Sequence, residues 1–268
     1  MLNPIEIIPG VIFYSHLTAS RKEVAAFLGH STLILMVNGQ LTFETSSQKT
    51  TLQKGDILLV GKNQLAQLRK TPSDEGSYET IVIILQEELL RKIALEEQIE
   101  ITEKYTGPVN MLIPSNDFMR GYFQSVIPYV RHQDEKINNA MGMIKVREGV
   151  QLLLHTLPSL RNLLFDFSIH HKIDLRKFML SNYHINVPIE KFAQLTGRSL
   201  AAFKRDFNKV FDAAPRHWLL EKRLTEARHL IEKKHKKPSA IYLDLGFESL
   251  SHFSRTFKKM FGKAPSEI

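Results

Sequence analysis

A repeat constrains this chain more than any other feature of its sequence. Laying Leu195–Pro215 over Leu245–Pro265, an offset of 50, gives ten identities in 21 positions. Among them are Ser199/Ser249, Leu200/Leu250, Arg205/Arg255, Lys209/Lys259 and Pro215/Pro265, with three phenylalanine pairs at 203/253, 207/257 and 211/261. Two copies are too few for a solenoid, which needs several stacked neighbours to cover its core. The repeat therefore reads as a pair of equivalent small modules.

Each copy carries a helix–turn–helix pattern. In the first, Pro188, Ile189, Phe192, Ala193 and Leu195 make a short amphipathic helix, Thr196-Gly197-Arg198 supplies the turn, and Ser199 caps a second helix. On a wheel of about 100° per residue, Leu200, Phe203, Phe207 and Phe211 share one face. Arg198, Ala201, Ala202, Arg205, Asn208 and Lys209 point the other way. The second copy has Ile241, Leu245 and Gly246 before the Ser249 cap. There Leu250, Phe253, Phe257 and Phe261 turn inward, and Ser251, His252, Arg255, Lys258 and Lys259 turn outward. The phenylalanine stripes read as core rather than as a stacking platform for bases.

Between the copies, Pro215 can open a helix whose apolar face is Leu220, Leu224, Ala227 and Ile231, ended by the run Lys233–Pro238. Roughly 18 residues at about 1.5 Å each make about 27 Å. With the widths of the modules, that separates two outward helices by about one turn of B-DNA, ~34 Å. Arginines so placed can hydrogen-bond guanine edges bidentately, and lysines suit phosphates.

Charge supports the same division. Residues 170–268 hold 20 Lys+Arg against 10 Asp+Glu, a net of +10, whereas residues 1–169 hold 16 against 18, a net of −2. Such a split points to a nucleic-acid or acidic partner for the C-terminal part alone. With 268 residues, the division predicts two domains, 1–169 and 170–268.

Residues 11–85 read as short strands. Leu33, Leu35 and Val37 alternate with Thr32, Ile34 and Met36, and Asn38-Gly39 offers a two-residue hairpin turn before Leu41 and Phe43. Ile57–Val60 and Tyr78–Leu85 follow, the latter expected as the last strand. Frequent turns between short strands favour a barrel or jelly roll. Beyond Gln86 the period becomes helical. The apolar positions are Leu89, Leu90, Ile93 and Leu95, then Phe118, Tyr122, Val126 and Tyr129. A third stripe is Met143, Val146, Val150 and Leu154 within 139–157. These faces are expected to pack on the barrel or to form a dimer interface.

Little in the chain points to catalysis. There is no cysteine, which excludes disulfides, thiolate–zinc sites and cysteine nucleophiles. Phosphate-binding glycine loops, Gly-x-Ser-x-Gly and His-Glu-x-x-His are also absent from the sequence. A metal-dependent barrel would need several imidazoles and a carboxylate on one ion, and the first 85 residues offer His16 and His30. His170-His171 and His229…His235 sit in or beside basic stretches and are poor ligands. The expectation is no catalytic residue, no metal and no cofactor; the rival reading, a cupin-type metalloenzyme, is testable by elemental analysis. The longest apolar runs, such as Ile81–Leu85, fall far short of the ~20 residues that cross a bilayer. Glu6 and Pro9 stand where a signal peptide needs a basic and then an apolar segment. A cytoplasmic protein without a membrane partner is expected.

On these residues the C-terminal part resembles the AraC/XylS family of bacterial transcription regulators. The likeness covers about 174–268 and rests on Ala193, Gly197, Ser199, Phe203, Phe207, Pro215, Arg223-Leu224 and Ala227. It continues through Gly246-Phe247, Ser249, Phe253-Ser254-Arg255, Phe257-Lys258-Lys259 and the closing Gly262-Lys263-Ala264-Pro265-Ser266. The resemblance implies a seven-helix DNA-binding domain in which each copy's second helix reads a major groove. By motif position the implied base readers are Ala201, Lys204 and Arg205, then Leu250, Ser251, Ser254 and Arg255. Tyr242 departs from the pattern, standing where the family usually has alanine. The Asn38-Gly39 and Lys54–Leu59 segments look like the cupin-type sensing domain of many members. The expected protein is thus α+β: a cupin-like β-barrel with helices, then an all-α domain of two helix–turn–helix modules joined by a linker helix. It is a sequence-specific regulator, an activator by expectation, that binds double-stranded DNA as a homodimer, with RNA polymerase a further candidate partner. Its N-terminal domain responds to a small effector, or alternatively to a protein partner with no small-molecule pocket.

Overall fold

The computed structural model describes residues 4–18, 21–74, 76–101, 103–131, 139–167 and 174–268. The sequence boundary near His170, and His170-His171 themselves, lie outside the described residues. The strands are β1 (Ile5–Ile8), β2 (Ile12–Leu17), β3 (Arg21–Leu28), β4 (Ser31–Asn38) and β5 (Gln40–Glu44), followed by β6 (Lys49–Leu52), β7 (Ile57–Val60), β8 (Gln64–Thr71), β9 (Tyr78–Leu85) and β10 (Asn110–Ile113). They form a six-stranded sheet in the order β1-β2-β9-β4-β7-β10 and a four-stranded sheet in the order β3-β8-β5-β6. Every pairing is antiparallel.

The sheets face each other as an open sandwich, so of the barrel or jelly roll expected it is the barrel that does not close among the described residues. The Asn38-Gly39 hairpin is likewise corrected. β4 is hydrogen-bonded to β9 on one side and to β7 on the other, which leaves it no free edge for β5. The chain instead crosses to the second sheet at Gly39, with φ +83°; a Cβ there would stand 2.6 Å from the Thr71 carbonyl oxygen. Nor is Tyr78–Leu85 the last strand, since β10 pairs with β7 at the sheet edge.

The period of two in β4 explains its lack of a polar face. Leu33 faces helices, packed with Ile57, Leu59, Ile81 and Ile83, while Ile34 and Met36 face the smaller sheet with Leu41, Phe43 and Leu52. The larger sheet is therefore a middle layer, apolar on both sides.

Its outer face is covered by α1 (Glu87–Glu96), α2 (Asp117–Arg131), α3 (Asn139–Thr156) and α4 (Arg161–Leu164). Leu90, Ile93, Tyr122, Val126, Val146 and Val150 are buried there as the helical spacing predicts. Leu95, Phe118 and Met143 are not: they are 81%, 60% and 36% exposed, the buried positions in α2 including Met119 and Phe123 instead. One residue along a helix is about 100° round it, so a slip of one or two positions is enough to take a residue off the apolar stripe.

The remaining helices are α5 (Leu175–Asn182), α6 (Ile189–Leu195), α7 (Leu200–Phe211), α8 (Pro215–Lys234), α9 (Pro238–Ile241) and α10 (Leu250–Phe261). A 3-10 turn, Pro265–Glu267, stands where the resemblance implied a seventh helix. This helical part docks on the smaller sheet: Phe27 of β3 and Leu65 of β8 join the core of α5, α6 and α7, and the Lys191 ammonium lies 4.5 Å from the centre of the Phe27 ring. No helix among the described residues is long and apolar enough to cross a membrane.

Candidate nucleic-acid interface

The two modules fold from the same local instructions. α7 and α10 are each 12 residues long, and each is capped by the serine that the repeat aligns. Ser199 accepts a hydrogen bond from the Ala202 amide and Ser249 from the His252 amide, at 3.3 and 3.2 Å. Phe203, Phe207, Phe253 and Phe257 are all 0% exposed, which assigns the phenylalanine stripes to the core. Both helices stop on a left-handed residue, Asp212 and Gly262.

Ahead of the caps the repeat slips by one residue. In the first module the Arg198 amide bonds the Ala193 carbonyl and the Gly197 amide bonds that of Gln194; in the second, Phe247 bonds Tyr242 and Gly246 bonds Leu243. These are equivalent Schellman turns, with Gly197 and Gly246 at positive φ. Ala193 therefore corresponds to Tyr242 at an offset of 49. The tyrosine is half-buried against the second core, so its extra bulk is accommodated there.

The outward residues are displayed much as the wheel predicts, except that Leu250, expected to turn inward, is 38% exposed. Ala201, Lys204, Arg205, Asn208 and Lys209 are exposed along α7, as are Leu250, Ser251, Arg255, Lys258 and Lys259 along α10; Ser254 is half-buried. Among the described residues Lys204, Lys209, Arg255, Lys258 and Lys259 form no ion pair. Arg205 makes a long contact of 3.4 Å with Asp206 and keeps an exposed guanidinium. Arg198 is placed differently. Its side chain is only 10% exposed, donating to Asp206 Oδ2 at 3.1 Å and to the Thr196 carbonyl at 2.7 Å. The hydrogen bond from Arg198 holds the Asp206 carboxyl below the usual carboxylate range, with Arg205 adding to it.

One polar residue of this domain has a role that the sequence reading did not assign. Arg223 is 9% exposed at the middle of α8, and its guanidinium donates to three main-chain oxygens. These are Tyr183 at 2.7 Å, Ile185 at 3.0 Å and Gly246 at 3.2 Å. Burial pulls its pKa down to about 10, which still leaves it charged at neutral pH. The signal was present: Arg223 interrupts the apolar i, i+4 stripe Leu219, Ala227 and Ile231, all buried.

The metalloenzyme rival gains no support from the histidines. His30 accepts from the Glu87 amide through Nδ1 at 3.4 Å, and His16 stacks on Tyr14. No group of three potential ligands converges among the described residues.

Residues 192–268 match the family described as a helix-turn-helix domain, and residues 31–165, half of the chain, match the ExsA N-terminal regulatory domain. The chain belongs to the AraC family of transcription regulators. Like other members it is a DNA-binding regulator and not an enzyme. A similar relative is the virulence regulon transcriptional activator VirF of Yersinia enterocolitica, 26% identical over 250 residues that cover 88% of this chain and 87% of VirF. Another is the regulator ExsA of Pseudomonas aeruginosa, 23% identical over 240 residues, covering 87% and 83%. Among solved structures, the apo form of a single-residue variant of ToxT from Vibrio cholerae aligns over 97% of both chains at 14% identity with a TM-score of 0.45.

Proposed function

We propose that α7 and α10 enter successive major grooves on one side of a duplex. Ala201, Lys204 and Arg205 face the bases of one half-site, and Leu250, Ser251, Ser254 and Arg255 those of the other. Asn208, Lys209, Lys258 and Lys259 lie toward phosphates, and Arg198 braces the turn that presents α7. The carrying observation is the pair of equally long, serine-capped helices that bury phenylalanines and display cations. Ala201 and Leu250 offer only apolar contact, suited to thymine methyls.

On this reading residues 170–268 bind DNA in the cytoplasm, and residues 1–169 pair two copies and control the output. Exposed Leu95, Phe118 and Ile144 of the N-terminal helices supply apolar surface for that pairing. VirF is named an activator, and activation through contact with RNA polymerase is the output proposed here. The space between the two sheets is filled, with Phe43, Met36 and Leu58 0% and Tyr78 1% exposed. That filling favours control by a protein partner over a small effector held inside the sandwich.

Selection of duplexes from a random-sequence library by the full chain tests the reading. A bipartite consensus is expected, with half-sites about one helical turn apart. Lys258→Ala should lower the slope of log affinity against log salt by about one contact's worth. Recovery of a single uninterrupted half-site would overturn the two-groove arrangement.

A further inference from the structure

Arg223 joins three separate stretches of chain. It stands on the connector α8, while Tyr183 and Ile185 belong to the segment that enters the first module and Gly246 to the turn of the second. One planar, always charged guanidinium thus holds both modules to the connector at once. Lysine could not do this, because a single ammonium is a point donor without the fixed fork.

The surroundings tighten the joint. Gly246 approaches so closely that a Cβ would lie 2.6 Å from the His184 carbonyl oxygen and 2.9 Å from Arg223 Cζ. Its φ of +80° already favours glycine. Beside it the Asn186 amide nitrogen donates to Glu248 Oε1 at 3.0 Å, a second tether across the same two loops. The interior alternative, an apolar residue at 223, would leave three main-chain oxygens without these donors.

We propose that Arg223 is the positioning residue that fixes the separation and relative rotation of α7 and α10, so that the protein reads the spacing of two half-sites as well as their sequence. The inference rests on the two-groove reading above. Each base pair added between half-sites moves one of them by about 3.4 Å and rotates it about the duplex axis. A rigid pair of modules must reject that change, and a loosened pair must tolerate it.

The test uses the full chain, the duplex selected by the wild type, the same duplex with one base pair inserted or removed between half-sites, and a duplex with one half-site. The wild type should lose about tenfold or more on the altered spacings. Arg223→Lys should reduce that penalty to about threefold or less, with binding to the single half-site within about twofold of wild type. The ratio between spacings is independent of how much variant is folded, so a general loss of stability would not mimic the result. A folded Arg223→Lys that keeps the full penalty, or a wild type indifferent to spacing, overturns the proposal. Should Arg223→Lys not fold, Asn186→Ala decides: a reduced penalty supports the joint, and an unchanged one overturns it. Failure to select any duplex would strike the DNA reading itself, a distinguishable outcome.

Discussion

In the first module Arg198 reaches back to Asp206 and the Thr196 carbonyl; in the second the equivalent turn position is the buried Phe247, and Thr256, aligned with Asp206, bonds its own helix at His252. The segments leading in differ as well. Tyr183–Val187 is partly to fully buried and holds two of the oxygens that Arg223 engages, whereas Lys233–Lys237 is exposed throughout. The first module also docks on the smaller sheet through Phe27 and Leu65, while the core of the second is built from α8, α9, α10 and the turns between them. The repeat is therefore retained where a core and a cap demand it. It has diverged wherever a module meets the rest of the protein.

That contrast can be broken in four ways. Phe207→Ala and Phe257→Ala remove equivalent, fully buried rings and should each cost about 3–5 kcal/mol in denaturant unfolding. A clearly smaller loss at Phe207 would show that docking on the sheet lets the first core relax. Next in size, Arg205→Ala and Arg255→Ala should each weaken specific binding by about 1–3 kcal/mol in titrations of the selected duplex. An equal loss on random DNA would remove that arginine from base readout.

The caps come third. Ser199→Ala and Ser249→Ala should each destabilise by about 1 kcal/mol, and a large difference between them would mean that one helix start is held by something other than its serine. The smallest effect concerns pH. Because the Asp206 carboxyl titrates below its ordinary value in the folded chain, its contribution is present above the unfolded carboxylate range and is lost as pH falls through the lowered value. Amide protection around Thr196–Ser199 should therefore drop with acid before that around Gly246–Ser249 does, and Asp206→Asn should abolish the difference. Equal acid sensitivity in the two turns would show that the Arg198–Asp206 pair is not what stiffens the first.

Much of the C-terminal part is legible in sequence because its signals are local. Serine caps, left-handed stops and an aromatic stripe at helical spacing act within a few residues, so alignment of the two copies is enough to find them. The slip from 50 to 49 is less visible. Gly197 and Gly246 are not aligned by the identities, and only the hydrogen bonds of the turns pair Ala193 with Tyr242. Arg198 and Arg223 mark a second limit. Both are basic residues in a basic domain, yet one braces a turn and the other a joint between modules. A wheel sorts directions, but it does not say which outward cation bends back to a carboxylate.

In the N-terminal part the strands are foreseeable and their partners are not. Asn38-Gly39 is a strong hairpin signal, but it acts on two strands whose edges must both be free. β9 and β7 occupy both edges of β4, and they come from 40 or more and about 20 residues further along the chain.

What the sequence by itself determined is the doubled helix–turn–helix unit, its serine-capped second helices and the concentration of positive charge in the last 99 residues. These follow from short-range spacing and composition. Only the tertiary structure decided that the strands form an open two-sheet sandwich, that the first module rests on its smaller sheet, and that Arg223 binds both modules to their connector. Each of these depends on groups far apart in the chain competing for the same edges, surfaces and hydrogen bonds, and no local pattern records the winner.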